Sequence, residues 1–201
     1  EKVVVRFSGD SGDGMQLTGT LFSHTSAIYG NDISTFPDYP SEIRAPQGTI
    51  GGVSGFQVNL GSSEVHTPGD YADVLVAMNP AALKANIKWM KPAGTVIVDV
   101  DLFDDKNLKK ANYKTIDPFE EERRDDLQII KVPMTTLTKE ALKDMGLDTK
   151  SILRSKNMFA LGLVCWLFDR PLDFANNYIK KKFAKNPLVV EGNLKVLLDG
   201  Y

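Results

Sequence analysis

A glycine-rich turn near the start of the chain, Gly9–Gly14 (GDSGDG), is the segment whose spacing best suits chemistry. The β-branched run over residues 3–7 predicts a buried strand before it, and apolar residues at helical spacing over 15–29 predict a helix after it. In a strand–turn–helix, backbone N–H groups converge on an anion, and the helix N-terminus adds positive dipole. The turn therefore predicts contact with an anionic ligand, with a purely structural tight turn as the alternative.

The details of the turn limit which anion it could bind. Its Gly-x-x-Gly-x-Gly spacing differs from the dinucleotide fingerprint, and the Lys-Ser/Thr pair of a P-loop is missing. Asp10 and Asp13 place carboxylates where an anion would lie, unless they cap the helix or pair with Arg, and we expect Asp13 to cap the helix. Arg44 could bind phosphate bidentately or could pair with Glu42. The candidate ligand contacts are Gly9, Gly12, Asp13, Gly14, Gln16 and Arg44.

No other residue pattern predicts a catalytic or metal centre. Gly12-Asp13-Gly14 matches the Gly-Asp-Gly of thiamine–magnesium sites, but the Asn-Asn that completes such sites occurs only at 176–177, too far along the chain. His24 and His66 have no metal-binding partner at a suitable spacing. The single cysteine, Cys165, lies in an apolar helical segment and predicts a packing thiol, and one cysteine cannot form an internal disulfide or hold an iron–sulfur cluster.

The elements that would position this turn predict a three-layer α/β sandwich. Strand–helix–strand patterns with right-handed crossovers favour a mainly parallel mixed sheet, with strand 3–7 central and antiparallel strands from residues 43–66. The charged segment 117–126 indicates a solvated loop or exposed helical turn. Further strands are expected at 34–36, 42–45, 51–60, 73–78, 95–100 and 127–132, with a possible start at 65–66, and helices at 81–90, 138–145, 155–168, 172–184 and after Pro187.

The helix predicted over 155–168 has apolar residues all around its axis, which indicates burial between layers or beneath a partner. If its Trp166 ring is fully packed, truncation to alanine should cost about 3–5 kcal/mol.

Composition restricts the class of protein. The 201 residues suit one domain, and 42% hydrophobic residues suffice for a core. A net charge of −2 favours neither nucleic acid nor an anionic membrane. Without a long apolar segment or secretory signal, we expect a cytoplasmic protein. The chain opens without Met and closes on a helical pattern, NLKVLLDGY, so we expect a piece of a longer polypeptide.

Several segments resemble the 2-oxoacid:ferredoxin oxidoreductases. Residues 6–19 resemble the opening of the alpha subunit of the 2-oxoglutarate enzymes, with Gly-Asp-Gly-Met-Gln where relatives commonly have Gly-x-Gly-Gln-Gly. Ala45-Pro46 departs from the family's Arg-Gly-Gly. The resemblance continues, in the expected order, through residues 39–44, 73–79, 156–162 and 192–195.

The resemblance implies that residues 1–201 form the gamma domain, an accessory domain near the active-site entrance that is implicated in coenzyme A access. The complete enzyme would oxidatively decarboxylate a 2-oxoacid, 2-oxoglutarate by this resemblance, with coenzyme A and ferredoxin. Thiamine diphosphate, magnesium and iron–sulfur clusters would belong to other domains or subunits, which would be its partners. The isolated domain should bind no cofactor tightly and be inactive. The alternatives are a free-standing nucleotide- or phosphate-binding module and a ligand-free assembly domain.

Overall fold

The computed structural model describes residues 2–201, which form a six-stranded sheet with helices on both faces. The strand order is β2-β3-β1-β4-β5-β6. Neighbours β1, β4, β5 and β6 run parallel, whereas β3 is antiparallel to both β1 and β2. The prediction of a mainly parallel mixed sheet with the first strand central is confirmed. The strands are β1 Lys2–Asp10, β2 Asp32–Asp38, β3 Val53–Gly61, β4 Ala72–Ala77, β5 Met90–Asp99 and β6 Gln128–Val132.

The helices fall into two layers, as the two hydrophobic clusters of the sheet show. Helices α1, α5, α7, α8 and α9 cover one face, and α2, α3 and α4 lie against the other. Alternation along β1 supplies both layers, because Val5 and Phe7 enter the first cluster and Val4 enters the second. The helices are α1 Met15–Ile28, α2 Pro80–Asn86, α3 Asp105–Lys110, α4 Pro118–Glu121, α5 Met134–Leu142, α6 Thr149–Arg154, α7 Lys156–Leu167, α8 Asp173–Lys182 and α9 Pro187–Gly200.

Two short helices were missed and two extended segments were predicted wrongly. Helices α3 and α6 are too short for a hydrophobic period, and each is capped by an aspartate that accepts a backbone N–H, Asp104 and Asp148. Residues 42–45 form a bend and turn in which Arg44 has φ 60°, and no strand forms over 65–66. The helix predicted over 81–90 ends at Asn86, because a short 3₁₀ turn follows it.

Helix α7 is buried as predicted along most of its length, but Trp166 is 59% exposed. The condition for the cost of about 3–5 kcal/mol, a fully packed ring, is therefore not met. The helix is apolar all around because it packs against α1 on one side and α9 on another. A Cβ on Gly162 would lie 2.1 Å from the Leu197 carbonyl oxygen, so the α7–α9 contact needs glycine there.

Membrane-spanning helices are not found between residues 2 and 201: no helix there has the length and apolar character that crossing a bilayer requires.

Candidate functional site

The glycine-rich turn follows β1 and folds back on itself before α1. The Asp13 amide donates to the Asp10 carbonyl oxygen at 2.9 Å, and the Asp13 carboxylate accepts the Asp10 amide at 2.8 Å. The cap of α1 is Gly14, with φ 74° and no side-chain hydrogen bond. The expected cap by Asp13 is therefore wrong, because this carboxylate turns back toward the strand and closes the turn.

Two of the turn's glycines are required by close contacts. A Cβ on Gly9 would lie 2.6 Å from the Asp13 carboxylate and 3.2 Å from the Met78 side chain. A Cβ on Gly14 would lie 2.4 Å from the Asn157 amide nitrogen, and its positive φ also favours glycine. These two glycines let the turn fold tightly between β4 and α7.

Gly12 differs from its neighbours because it faces open space. A Cβ there would meet nothing within 4 Å, and Gly12 lines a cleft of about 630 Å³. Asp10, Asn79 and Thr135 line the same cleft and lie at or just beyond the carboxyl ends of β1, β4 and β6. Open α/β sheets present ligands at this edge.

The Asp10 carboxylate serves the protein's own backbone. It accepts the Gly48 amide at 3.0 and 3.2 Å and so anchors the loop between β2 and β3. Burial raises the pKa of Asp10, while hydrogen bonds from Asn79 and Gly48 oppose the rise. Burial likewise raises the pKa of Asp13, with Lys156 opposing it. The negative charge of Asp10 and Asp13 is therefore partly neutralised by their partners within the protein, and burial favours the uncharged carboxyl groups.

A buried ion pair lies at the inner end of the cleft. The Lys156 ammonium lies 3.0 Å from the Asp99 carboxylate, and both side chains are almost fully buried. Thr135 completes the cluster: its hydroxyl and its amide donate to Asp99 at 2.6 and 3.2 Å, and the hydroxyl lies 3.3 Å from the lysine nitrogen. The cluster ties the end of β5 to the starts of α5 and α7.

The rim of the cleft is cationic. Lys110, Lys150 and Arg154 line it together with Lys156, whereas its only lining carboxylates among the described residues are Asp10 and Asp13. Because Lys156 is already paired with Asp99, three cations of the rim face two partly neutralised acids. This balance favours an anionic ligand, whose oxygens could accept from lysine, arginine and the turn's backbone amides.

The remaining predicted contacts lie away from the cleft. Gln16 donates its side-chain amide to the Gly55 carbonyl at 2.7 Å and fixes α1 to β3. Arg44 is exposed on the loop that Asp10 anchors and does not line the cleft. Sequence reasoning missed the rim cations and Lys156, although the segment Lys156-Asn157-Met158 is one of the stretches that carry the family resemblance.

No reactive thiol or metal cluster is found in the part of the chain that the structure describes. Cys165 is buried in α7, where desolvation raises the pKa of its thiol to about 12 and keeps it protonated. Between residues 2 and 201, no group of three or more His, Cys, Asp and Glu side chains could hold a metal ion.

The fold recurs in solved structures. The gamma subunit of a keto/oxoacid ferredoxin oxidoreductase from Geobacter sulfurreducens is similar in fold, with a TM-score of 0.64 and 20% identity, over 98% of this chain and 98% of that chain. The pyruvate oxidoreductase subunit PORC of Thermotoga maritima is also similar in fold, with a TM-score of 0.62 and 18% identity, over 100% of this chain and 96% of that chain. A third is similar over 30% of its length and 100% of this chain: the 2-oxoglutarate:ferredoxin oxidoreductase of Magnetococcus marinus, with 2-oxoglutarate, coenzyme A and succinyl-CoA bound (TM-score 0.74, 25% identity).

The sequence comparisons agree with the structural ones. The chain is 49% identical over its whole length to 2-oxoglutarate oxidoreductase subunit KorA of Mycobacterium tuberculosis, and it spans 31% of that relative. Residues 4–201 match the family described as pyruvate ferredoxin/flavodoxin oxidoreductase, and the chain belongs to this family.

Proposed function

We propose that this chain is the gamma domain of a 2-oxoglutarate:ferredoxin oxidoreductase and that its cleft forms part of the path by which coenzyme A reaches the active site. The observation that supports this most is the 49% identity, over the entire chain, to a 2-oxoglutarate oxidoreductase subunit. Because the chain spans only 31% of that relative, the activity belongs to the larger assembly, and the domain alone is expected to be inactive.

The proposed assembly is cytoplasmic and converts 2-oxoglutarate and coenzyme A to succinyl-CoA and carbon dioxide, with the electrons passing to ferredoxin. Thiamine diphosphate, magnesium and iron–sulfur clusters are assigned to its other parts, which are the partners of this domain. The Magnetococcus marinus relative, which has coenzyme A and succinyl-CoA bound, supports this choice of reaction.

Within the domain, each turn residue has its own part in the proposal. The Gly12 backbone would lie against a coenzyme A phosphate, with Lys110 and Lys150 neutralising its charge from the rim. Gly9 and Gly14 shape the turn, and Asp13 holds it closed. Gln16 keeps α1 in place, and the exposed Arg44 guanidinium remains available to the ligand or to a neighbouring domain.

The test uses the assembled enzyme and the Gly12→Val variant. The valine projects into the cleft without a clash inside the domain, so the fold should survive while the ligand path narrows. We expect the KM for coenzyme A to rise about tenfold or more, with the KM for 2-oxoglutarate unchanged. Arg44→Ala should act in the same direction more weakly.

Ser11→Val is the matched control, because Ser11 is exposed in the same turn and does not line the cleft. It should leave both KM values unchanged. If Gly12→Val also leaves both KM values and kcat at wild type in an intact complex, the turn is only structural and the proposed path is wrong.

A further inference from the structure

A second cavity, of about 340 Å³, lies beside the cleft and takes no part in the proposed coenzyme A path. It is bounded by the α6–α7 junction, the end of α8 and the first turns of α9. Arg154 lines both this cavity and the cleft. Two of the segments that carry the family resemblance, around Asn157 and around Asn193, are far apart in sequence and meet here.

Two asparagines line this cavity with side-chain amides that have no partner within the described residues. Asn157 and Asn193 are 7% and 5% exposed, and both line the cavity. Among residues 2–201, neither side-chain amide forms a hydrogen bond, and neither is sealed from solvent as Asn59 Oδ1 is. Buried amides in folded proteins are almost always hydrogen-bonded, because leaving them unpaired is costly. Because both amides are open to the cavity, they can hydrogen-bond to water or to the oxygens of a ligand that enters it.

The charges around the cavity identify the sign of that partner. Arg154, Lys182 and Lys185 line it, and no carboxylate side chain does so within the described chain. Among residues 2–201, Arg154 and Lys185 form no ion pair, and Lys182 contacts the hydroxyl of Tyr178 at 3.2 Å and lies 5.3 Å from the centroid of its ring. Two acids are near this lining in sequence: Asp148 is bound to the Ser151 amide and hydroxyl at 2.7 and 3.0 Å, and Glu191 of α9 is exposed and does not line the cavity. The three cations are thus free to bind an anion.

The helix geometry adds to the same field. Asn186 caps the N-terminus of the 14-residue helix α9 by accepting the Val189 amide at 3.3 Å, and both residues line the cavity. The positive end of a helix dipole favours an anion at this position. Cations, amide donors and the helix end all converge on one volume.

We propose that this cavity binds the phosphate group of a phosphorylated small molecule. The Asn157 and Asn193 amides donate to the phosphate oxygens, and Arg154, Lys182 and Lys185 neutralise their charge. Three cations and two amides supply more donors than a single carboxylate can accept, which favours phosphate. The cavity is also larger than one phosphate group, so it has room for an organic portion.

The test measures inorganic pyrophosphate binding to the assembled enzyme by isothermal titration calorimetry. Asn193→Leu and Lys185→Ala should each weaken binding about 10- to 100-fold, because each removes a hydrogen bond or charge contact to a charged ligand. Lys181→Ala is the matched control, since Lys181 is an exposed lysine of α8 that does not line the cavity, and it should bind pyrophosphate like wild type.

Gly12→Val separates this site from the cleft, because Gly12 lines the cleft and does not line this cavity. Pyrophosphate binding that survives Gly12→Val but is lost in Asn193→Leu supports the cavity. If coenzyme A then competes with pyrophosphate, the natural ligand is a phosphate of coenzyme A. If coenzyme A does not compete, the natural ligand is a different phosphorylated compound.

Three results overturn the proposal: no pyrophosphate binding, equal binding by Asn193→Leu and wild type, or loss of binding in Gly12→Val. A structure of the assembly with a neighbouring domain's carboxylate in the cavity would overturn it too. To guard against misfolding, Asn193→Leu is compared with wild type by thermal unfolding without ligand. Leucine removes an unpaired buried amide, so the melting temperature should not fall.

Discussion

Replacing Lys156 with methionine tests whether the buried ion pair fixes the inner wall of the cleft. Methionine keeps the length and apolar stem of the side chain but removes the charge, so Asp99 stays buried without its cation. At 3.0 Å and an effective dielectric constant of about 20, the lost Coulomb attraction is about 5–6 kcal/mol. The two hydrogen bonds from Thr135 remain and limit the loss. We expect Lys156→Met to lower the free energy of unfolding by about 3–5 kcal/mol.

The assay is urea denaturation of chain 1–201 at neutral pH, for which the separate gamma subunit of Geobacter sulfurreducens is a precedent for the same fold as an independent chain. The control is Lys150→Met: Lys150 also lines the cleft but is exposed and has no ion pair among the described residues. It should change the free energy of unfolding by no more than about 0.5 kcal/mol.

A double-mutant cycle isolates the ion pair from packing effects. Asp99→Asn keeps an acceptor for the Thr135 amide and removes the charge. The double variant Asp99→Asn/Lys156→Met should lose about 2–3 kcal/mol less stability than the two single variants lose together. If Lys156→Met costs under about 1 kcal/mol, or if the two changes are additive, the account of a charge-stabilised inner wall is wrong.

Two further perturbations test the packing and the electrostatics of the same region. Gly162→Ala should lower the free energy of unfolding by about 2–3 kcal/mol in urea denaturation, because its Cβ would lie 2.1 Å from the Leu197 carbonyl oxygen. Gly12→Ala is the control and should have almost no effect, because a Cβ there meets nothing within 4 Å. Equal costs of the two changes would refute the close-packing argument. Because burial raises the pKa of Asp13, the folded protein binds more protons than the unfolded chain above the ordinary value of 3.8, and its stability falls as pH rises through that window. Asp13→Asn should therefore gain stability relative to wild type as the pH rises above about 4, and a pH-independent difference would contradict the raised pKa of Asp13.

The fold could be predicted from sequence because its elements have strong local patterns. The β-branched run that starts β1 and the helical period of α1 lie on either side of the glycine turn, and the parallel topology follows from the alternation of strands and helices. The failures lie where tertiary contacts decide. Arg44 adopts a left-handed conformation in a loop that is fixed by the distant Asp10 carboxylate, and no local pattern encodes that contact.

Trp166 shows the limit of hydrophobic periodicity. The pattern correctly predicted that α7 is buried, but it could not show which residue emerges from the packing at the end of the helix, since every position around the axis is apolar. That outcome depends on how α1 and α9 pack against α7, which is a property of the assembled layers.

The acidic turn illustrates how a charge inferred from sequence changes its meaning once partners are known. Asp10 and Asp13 argued against an anion when only their spacing was considered, yet one anchors the loop at Gly48 and the other closes the turn. Cations from other segments offset that charge: α3 brings Lys110 to the cleft, and α6 brings Lys150. A turn that is a poor anion site by itself therefore becomes one wall of a cleft with a cationic rim. Which ligand this cleft binds depends on residues from the whole edge of the sheet.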